Sequence, residues 1–92
     1  MISFEWDARK AKANLAKHGI SFEEAKDAFR DLFALEFLDD RFDYSEDRYI
    51  LIAMVRGRCL TVVHTERDEI CRLISARLST NAEQDAYIEA QD

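Results

Sequence analysis

Three apolar, β-branched segments separated by two short turns fill the second half of the chain and constrain its fold most strongly. Residues 49–55 are almost continuously apolar, which predicts a strand buried on both faces. Arg56-Gly57 predicts a tight turn into a second strand over residues 59–66. A turn at residues 67–69 leads to the last strand, over residues 70–77. Because short turns join antiparallel neighbours, these segments predict an antiparallel meander.

A first helix is predicted over residues 8–17, before the meander. Asp7 is suited to accept hydrogen bonds from its free backbone amides. Gly19 is suited to end it, since glycine adopts the left-handed conformation at little cost. The residues that share one helical stripe, and are expected to face the core, are Ala8, Ala11, Leu15 and His18.

A second helix is predicted over about residues 22–30. Ser21 and Glu24 match a capping box, in which the hydroxyl accepts from the Glu24 amide and the carboxylate reaches back. Spacings of three and four predict a buried face, whose members are Phe22, Ala25, Phe29 and Leu32 or Phe33.

The remaining segments complete an α+β pattern. Short strands are predicted over residues 4–6 and 35–38, and Thr80 with Glu83 repeats the capping box before a third helix that ends near residue 90. We therefore expect a mostly antiparallel β-sheet with two N-terminal helices and one C-terminal helix. A chain of 92 residues is expected to form a single domain, residues 1–92.

Composition excludes disorder and a membrane-spanning helix. Hydrophobic residues make up 48% of the chain, which is ordinary for a globular protein. The longest strongly apolar run, residues 49–55, is far shorter than the roughly 20 residues that a bilayer requires. The amino terminus lacks the pattern of an export signal, so we expect a cytoplasmic protein with no membrane partner. Cys59 and Cys71 are then expected to be reduced core thiols.

The formal net charge of −6 conceals three segments of different charge. Residues 8–17 carry +4, residues 18–47 carry −7 and residues 48–77 carry +3. Every base in the last segment is arginine, whose planar guanidinium can grip phosphate with two hydrogen bonds. The net charge therefore does not exclude a nucleic-acid partner, although a solvated sheet face also carries outward charges.

His64 and Glu66 share one face of the second predicted meander strand, because side chains alternate along a strand. A three-residue turn after them places Arg72 opposite His64, whereas a two-residue turn places Leu73 opposite His64 and Arg77 opposite Leu60. Either register brings an imidazole, a carboxylate and at least one guanidinium to one corner of the sheet. These groups suit phosphodiester cleavage, which needs proton exchange and stabilisation of phosphate charge. The alternative is a structural histidine held by a neighbouring carboxylate.

A metal site is not expected from the sequence. His18 and His64 lie at unrelated positions, and neither a Cys-x-x-Cys nor a His-x-x-x-His pattern occurs. A metal-dependent hydrolase is therefore the weakest hypothesis, and no cofactor is expected. His18, just before Gly19, is expected to cap a carbonyl or interact with the helix dipole.

Five sequence blocks follow one another along nearly the whole chain. They are Phe4-Glu5-Trp6-Asp7, Asn14-x-x-Lys17-His18-Gly19-Ile20-Ser21-Phe22-Glu23-Glu24-Ala25, Asp39-Asp40-Arg41, Val62-Val63-His64-Thr65-Glu66-Arg67 and Arg72-x-Ile74-Ser75-Ala76-Arg77. In this combination they resemble the BrnT family of bacterial type II toxin–antitoxin toxins.

The resemblance implies a RelE-like ribonuclease fold and an endoribonuclease that cleaves RNA and inhibits translation. It also implies a small BrnA-like antitoxin that neutralises the toxin, with operator DNA bound only through the toxin–antitoxin complex; a homodimer is compatible with this. Carried onto this sequence, the expected catalytic residues are His64, Glu66, Arg67 and Arg77. The expected RNA-binding residues are Lys17, His18, Arg41 and Arg72. The competing hypothesis is a non-catalytic interaction module or corepressor that binds a basic partner through residues 18–47.

Overall fold

The computed structural model describes residues 2–40 and 46–91, which form one five-stranded sheet and three helices. The elements are β1 (Ser3–Glu5), α1 (Ala8–His18), α2 (Phe22–Ala25) with a 3₁₀ segment (Lys26–Arg30), β2 (Leu35–Asp39), β3 (Arg48–Val55), β4 (Arg58–Arg67), β5 (Ile70–Leu78) and α3 (Asn81–Glu89). The predicted α+β class is confirmed. Among these residues, no helix is long and apolar enough to cross a membrane.

The sheet has the strand order β1–β5–β4–β3–β2. The predicted meander is confirmed, since β3, β4 and β5 pair antiparallel in succession and β2 pairs antiparallel with β3. β1, however, pairs parallel with β5, with Phe4 beside Cys71, so the sheet is mixed. Sequence alternation alone does not reveal that pairing, because it joins segments far apart in the chain.

The turn between β4 and β5 has two residues, Asp68 and Glu69, and both adopt positive φ angles of 52° and 66°. This turn places Glu66 opposite Cys71 and His64 opposite Leu73. It therefore selects the second of the two registers considered above. Beyond His64 the register shifts by one residue, because Ile74 is left without a partner on β4. The predicted pairing of Leu60 with Arg77 is therefore wrong, and Leu60 lies opposite Leu78.

α1 begins and ends as predicted, but its buried face differs. The Asp7 carboxylate accepts hydrogen bonds from the amides of Arg9 and Lys10, and Gly19 ends the helix at a φ of 70°. Leu15, expected in the core, is 50% exposed, while Asn14 is buried. Asn14 is buried instead of Leu15 because its side chain forms tertiary hydrogen bonds with the backbone of Ile20 and Ala76.

The second predicted helix is α-helical for only one turn and continues as 3₁₀ helix. Ser21 accepts from the Glu24 amide as predicted, but the Glu24 carboxylate pairs with Arg58. Contacts with the β3–β4 turn therefore override the local helical pattern. Leu32 and Phe33, offered as members of the buried face, are 94% and 67% exposed.

The main core lies between one face of the sheet and the layer formed by α1, α2 and the 3₁₀ segment. Its fully buried members include Ile20, Phe22, Leu60, Val62 and Leu73. α3 has no buried residue, and its capping box between Thr80 and Glu83 is complete, as predicted. The two cysteines are free, with Cys71 buried and Cys59 half-buried.

Candidate functional site

His64 lies near the end of β4, on the sheet face that the helical layer covers. Its side chain is fully buried. The Phe29 ring from the 3₁₀ segment meets it edge-on, with the ring centroids 4.9 Å apart. The Tyr49 ring stacks on it from the neighbouring strand, with the centroids 5.7 Å apart. Neither aromatic contact could be read from strand alternation, so the complete burial of His64 was not predicted.

Two carboxylates flank the His64 imidazole. Nε2 lies 2.8 Å from Glu36 Oε1, and Nδ1 lies 3.7 Å from Glu66 Oε1. Neither ring nitrogen makes an aligned hydrogen bond with any described residue, despite the short distance to Glu36. Burial lowers the pKa of His64 and outweighs the opposing charge of Glu66. At neutral pH the imidazole is therefore uncharged.

Glu36 and Cys71 join this site without having been identified from the sequence. Burial raises the pKa of the Glu36 carboxyl. Burial, assisted by the charges of Glu66 and Glu36, raises the pKa of the Cys71 thiol to about 12. A signal for Cys71 was present, since a two-residue turn sets it opposite Glu66. Glu36 carried no such signal, because it comes from β2, two strands away from β4.

Glu66 connects the buried histidine to the surface. Its side chain is 48% exposed, and it lines two grooves at the end of β4. One groove, of about 360 Å³, lies toward Ile2 and Cys71. The other, of about 330 Å³, lies toward Tyr49. Arg67 lines both grooves as well. The structure thus brings His64, Glu66 and Arg67 to the same end of β4.

Arg72 and Arg77 lie on the opposite face of the sheet, where each is held by a carboxylate. Arg72 Nη1 is 2.6 Å from Glu5 Oε2 on the neighbouring strand β1. Arg77 binds both carboxylate oxygens of Glu83, at 2.7 and 2.9 Å. Within the described ranges, by contrast, no carboxylate forms an ion pair with Arg67. Arg67 is therefore the member of this arginine set that is available to an external phosphate.

The remaining predicted residues lie elsewhere. Lys17 and His18 end α1, whose Asn14 is fixed to Ala76. Within the described ranges, neither Lys17 nor His18 forms an ion pair or a ring contact with His64. Arg41 lies outside the described residues.

A comparison with protein-family models relates the sequence of this chain to known proteins. Residues 6–83 match the model described as the ribonuclease toxin BrnT of type II toxin–antitoxin systems. The chain belongs to the BrnT family. The resemblance read from the sequence is confirmed, and the matched span includes His64, Glu66 and Arg67. A comparison with curated protein sequences finds no match.

Membership in the BrnT family indicates the class of substrate. The family is one of ribonuclease toxins, whose substrate is RNA and whose systems include an antitoxin. His64, Glu66 and Arg67 at the end of β4 supply an imidazole, a carboxylate and a guanidinium, which are group types that suit phosphodiester chemistry.

Proposed function

We propose that this BrnT chain is an endoribonuclease that cleaves RNA without a metal ion, by attack of the ribose 2′-hydroxyl on the adjacent phosphodiester. Cleavage of RNA in this way would inhibit translation and make the chain toxic. We also propose that the five-stranded sheet belongs to a RelE-like fold. The proposed location is the cytoplasm, where RNA is available as a substrate.

The observation that carries this proposal is the half-exposed Glu66 carboxylate, which lies 3.7 Å from the buried His64 and lines the same two grooves as Arg67. Glu66 acts as general base toward the 2′-hydroxyl, because its side chain is 48% exposed and lines both grooves at the end of β4. His64 lies behind it, with Nδ1 3.7 Å away, and fixes the carboxylate or exchanges its proton. Arg67 stabilises the charge that develops on the phosphate in the transition state.

The other predicted residues enter the proposal with less direct support. Arg77 can contribute to catalysis only when its ion pair with Glu83 opens. Arg72 could bind RNA on the outer sheet face, where Glu5 now holds it. Lys17 and His18 extend the basic surface of α1, and Arg41 is proposed as a further RNA contact; these groups would bind phosphates at a distance from the scissile bond.

The proposed partner is a BrnA-like antitoxin that neutralises the ribonuclease and represses the shared operon. Operator DNA would then be bound only by the toxin–antitoxin complex, and two copies of the chain could pair as a homodimer. Co-expression tests the partnership. Growth should stop when this chain is induced alone and resume when the neighbouring gene is induced with it; unchanged growth in both cultures contradicts it.

A cleavage assay tests the activity itself. Purified protein should degrade RNA in the presence of a chelator, and Glu66→Gln should slow this by at least about 100-fold, the usual contribution of a general base. Glu89→Gln, on the exposed end of α3, is the matched control and should cleave normally. Cleavage at an unchanged rate by Glu66→Gln would remove Glu66 from the mechanism.

The competing hypothesis is a non-catalytic interaction module that binds a basic partner through residues 18–47. The ion pairs of this segment argue against it. Glu24 and Asp27 in that segment already pair with Arg56 in the β3–β4 turn and Arg58 at the start of β4. These carboxylates are therefore committed within the chain and are less available to a basic partner.

A further inference from the structure

Three side chains of types that bind transition metals meet at the inner end of the site. A ring nitrogen of His64, a carboxylate oxygen of Glu66 and Sγ of Cys71 all lie within 4.8 Å of one another. Their proximity follows from the two-residue β4–β5 turn, which sets Glu66 directly opposite Cys71. All three side chains therefore come from the paired strands β4 and β5.

The His64 ring is the second, independent observation. It is completely buried, yet neither nitrogen makes a hydrogen bond with any described residue. Buried polar groups in native proteins are nearly always paired with protein, water or a ligand. A bound cation at Nδ1 would satisfy this nitrogen, which faces the oxygens of Glu66 at 3.7 Å.

Glu36 fixes which nitrogen is available. With its carboxylate 2.8 Å from Nε2, a small reorientation gives an Nε2–H donor bond and leaves the Nδ1 lone pair directed toward Glu66 and Cys71. A carboxylate on the far nitrogen of a ligating histidine is the usual arrangement in metal sites, since it fixes both the tautomer and the ring orientation.

We propose that His64 Nδ1, Glu66 and Cys71 Sγ bind Zn²⁺, with Glu36 as a positioning residue behind the histidine. Nitrogen, oxygen and sulfur donors together suit zinc, whereas Mg²⁺ and Ca²⁺ prefer oxygen alone. Ligands of a tetrahedral zinc site stand about 3.5 Å apart, so the present cluster closes by about 1 Å on binding. Glu66 can supply this movement because its side chain is half-exposed.

The groove toward Ile2 provides both an entry path and a fourth coordination position. Glu66 and Cys71 line it, and its volume of about 360 Å³ admits a hydrated ion. Bound Zn²⁺ would occupy His64 Nδ1 and Glu66. Zinc would therefore suppress RNA cleavage; this step, and no other, rests on the proposed ribonuclease function.

Titration of the chelator-treated full chain with Co²⁺ and Zn²⁺ tests the site. We expect one ion per chain, and a thiolate-to-cobalt charge-transfer absorption that persists in Cys59→Ser, where Cys71 is the remaining thiol. Cys71→Ser and Glu66→Gln should weaken Zn²⁺ binding at least 100-fold, and Glu36→Gln about 10–100-fold. Cys59→Ser is the matched cysteine control and should bind Zn²⁺ normally.

The absence of a charge-transfer band from folded Cys59→Ser overturns the proposal, even if Cys71→Ser fails to fold. Equal Zn²⁺ affinity in folded Cys71→Ser and Cys59→Ser overturns it as well. RNA cleavage is measured separately in chelator. Zinc binding without cleavage refutes the proposed ribonuclease function alone, whereas cleavage in chelator without zinc binding refutes the metal site alone.

Discussion

Arg77 and Glu83 form a two-pronged ion pair that joins the end of β5 to the first turn of α3, with nitrogen–oxygen distances of 2.7 and 2.9 Å. The same carboxylate accepts from the Thr80 amide and the Thr61 hydroxyl. A single side chain thus closes the helix cap and attaches the helix to the sheet.

Glu83→Gln should destabilise the protein at neutral pH and much less in acid. Burial alone would raise the pKa of Glu83, but hydrogen bonds from Arg77 and Thr80 and the Arg77 charge outweigh it and lower the pKa to about 2. Its stabilisation is therefore complete above the unfolded pKa near 4.5 and is lost as the pH falls toward 2. After allowance for solvent screening, we expect about 2 kcal/mol at pH 7. Denaturant unfolding of both proteins at pH 7 and pH 3 measures the difference; a constant difference would contradict this assignment.

Arg77→Ala and Glu83→Ala together separate a structural from a catalytic role for Arg77. Both should lower the free energy of unfolding, and Glu83→Ala should lower it more, because it breaks the ion pair and also removes the acceptor of the Thr61 and Thr80 hydrogen bonds. If Arg77 also acts on RNA, only Arg77→Ala lowers the cleavage rate of folded protein. Equal cleavage rates in the two variants would confine Arg77 to holding α3.

Asn14→Ala should be strongly destabilising. The Asn14 amide binds the carbonyls of Ile20 and Ala76, and its oxygen accepts from the Ala76 amide. Removal of the side chain leaves these buried backbone groups unpaired, for a cost of about 2–4 kcal/mol in the free energy of unfolding. Lys12→Ala, on the exposed face of the same helix, is the control and should change stability by less than about 0.5 kcal/mol. Similar losses in both variants would refute the role of Asn14.

Glu69→Gly should stabilise the protein slightly. Glu69 has a φ of 66°, a conformation that costs a residue with a Cβ about 1 kcal/mol and glycine almost nothing. Relief of this strain, less the entropy that glycine adds to the unfolded chain, should raise the unfolding free energy by about 0.5 kcal/mol. Glu89→Gly, within α3, should lower it by about 1 kcal/mol. Thermal unfolding measures both, and a destabilised Glu69→Gly would show that the turn is not strained.

Local signals in the sequence predicted most of the elements. Asp7, Gly19 and the Thr80–Glu83 box mark helix ends because caps depend on residues close in sequence. The second helix was predicted too long, since the pairing of Glu24 and Asp27 with arginines of the β3–β4 turn is not visible in a helical pattern.

The candidate site was predicted only in part. Strand alternation correctly placed His64 beside Glu66, and the turn decided the register on β5. The faces occupied by Arg72 and Arg77, the burial of His64 under Phe29 and the approach of Glu36 depend on contacts between distant segments. Such contacts follow from the assembled sheet, so the sequence predicted that His64 and Glu66 share a face but not which residues surround them.

The parallel pairing of β1 with β5 determines when the groove beside Ile2 can form during folding. β1 precedes β5 by more than 60 residues, yet it pairs with residues 70–72, and the Ser3 amide donates to the carbonyl of Glu69. The groove formed by Ile2, Glu66 and Cys71 therefore cannot exist in a nascent chain that lacks β5. The groove is thus completed by a long-range pairing, and its formation depends on the folding of the whole sheet rather than of the meander alone.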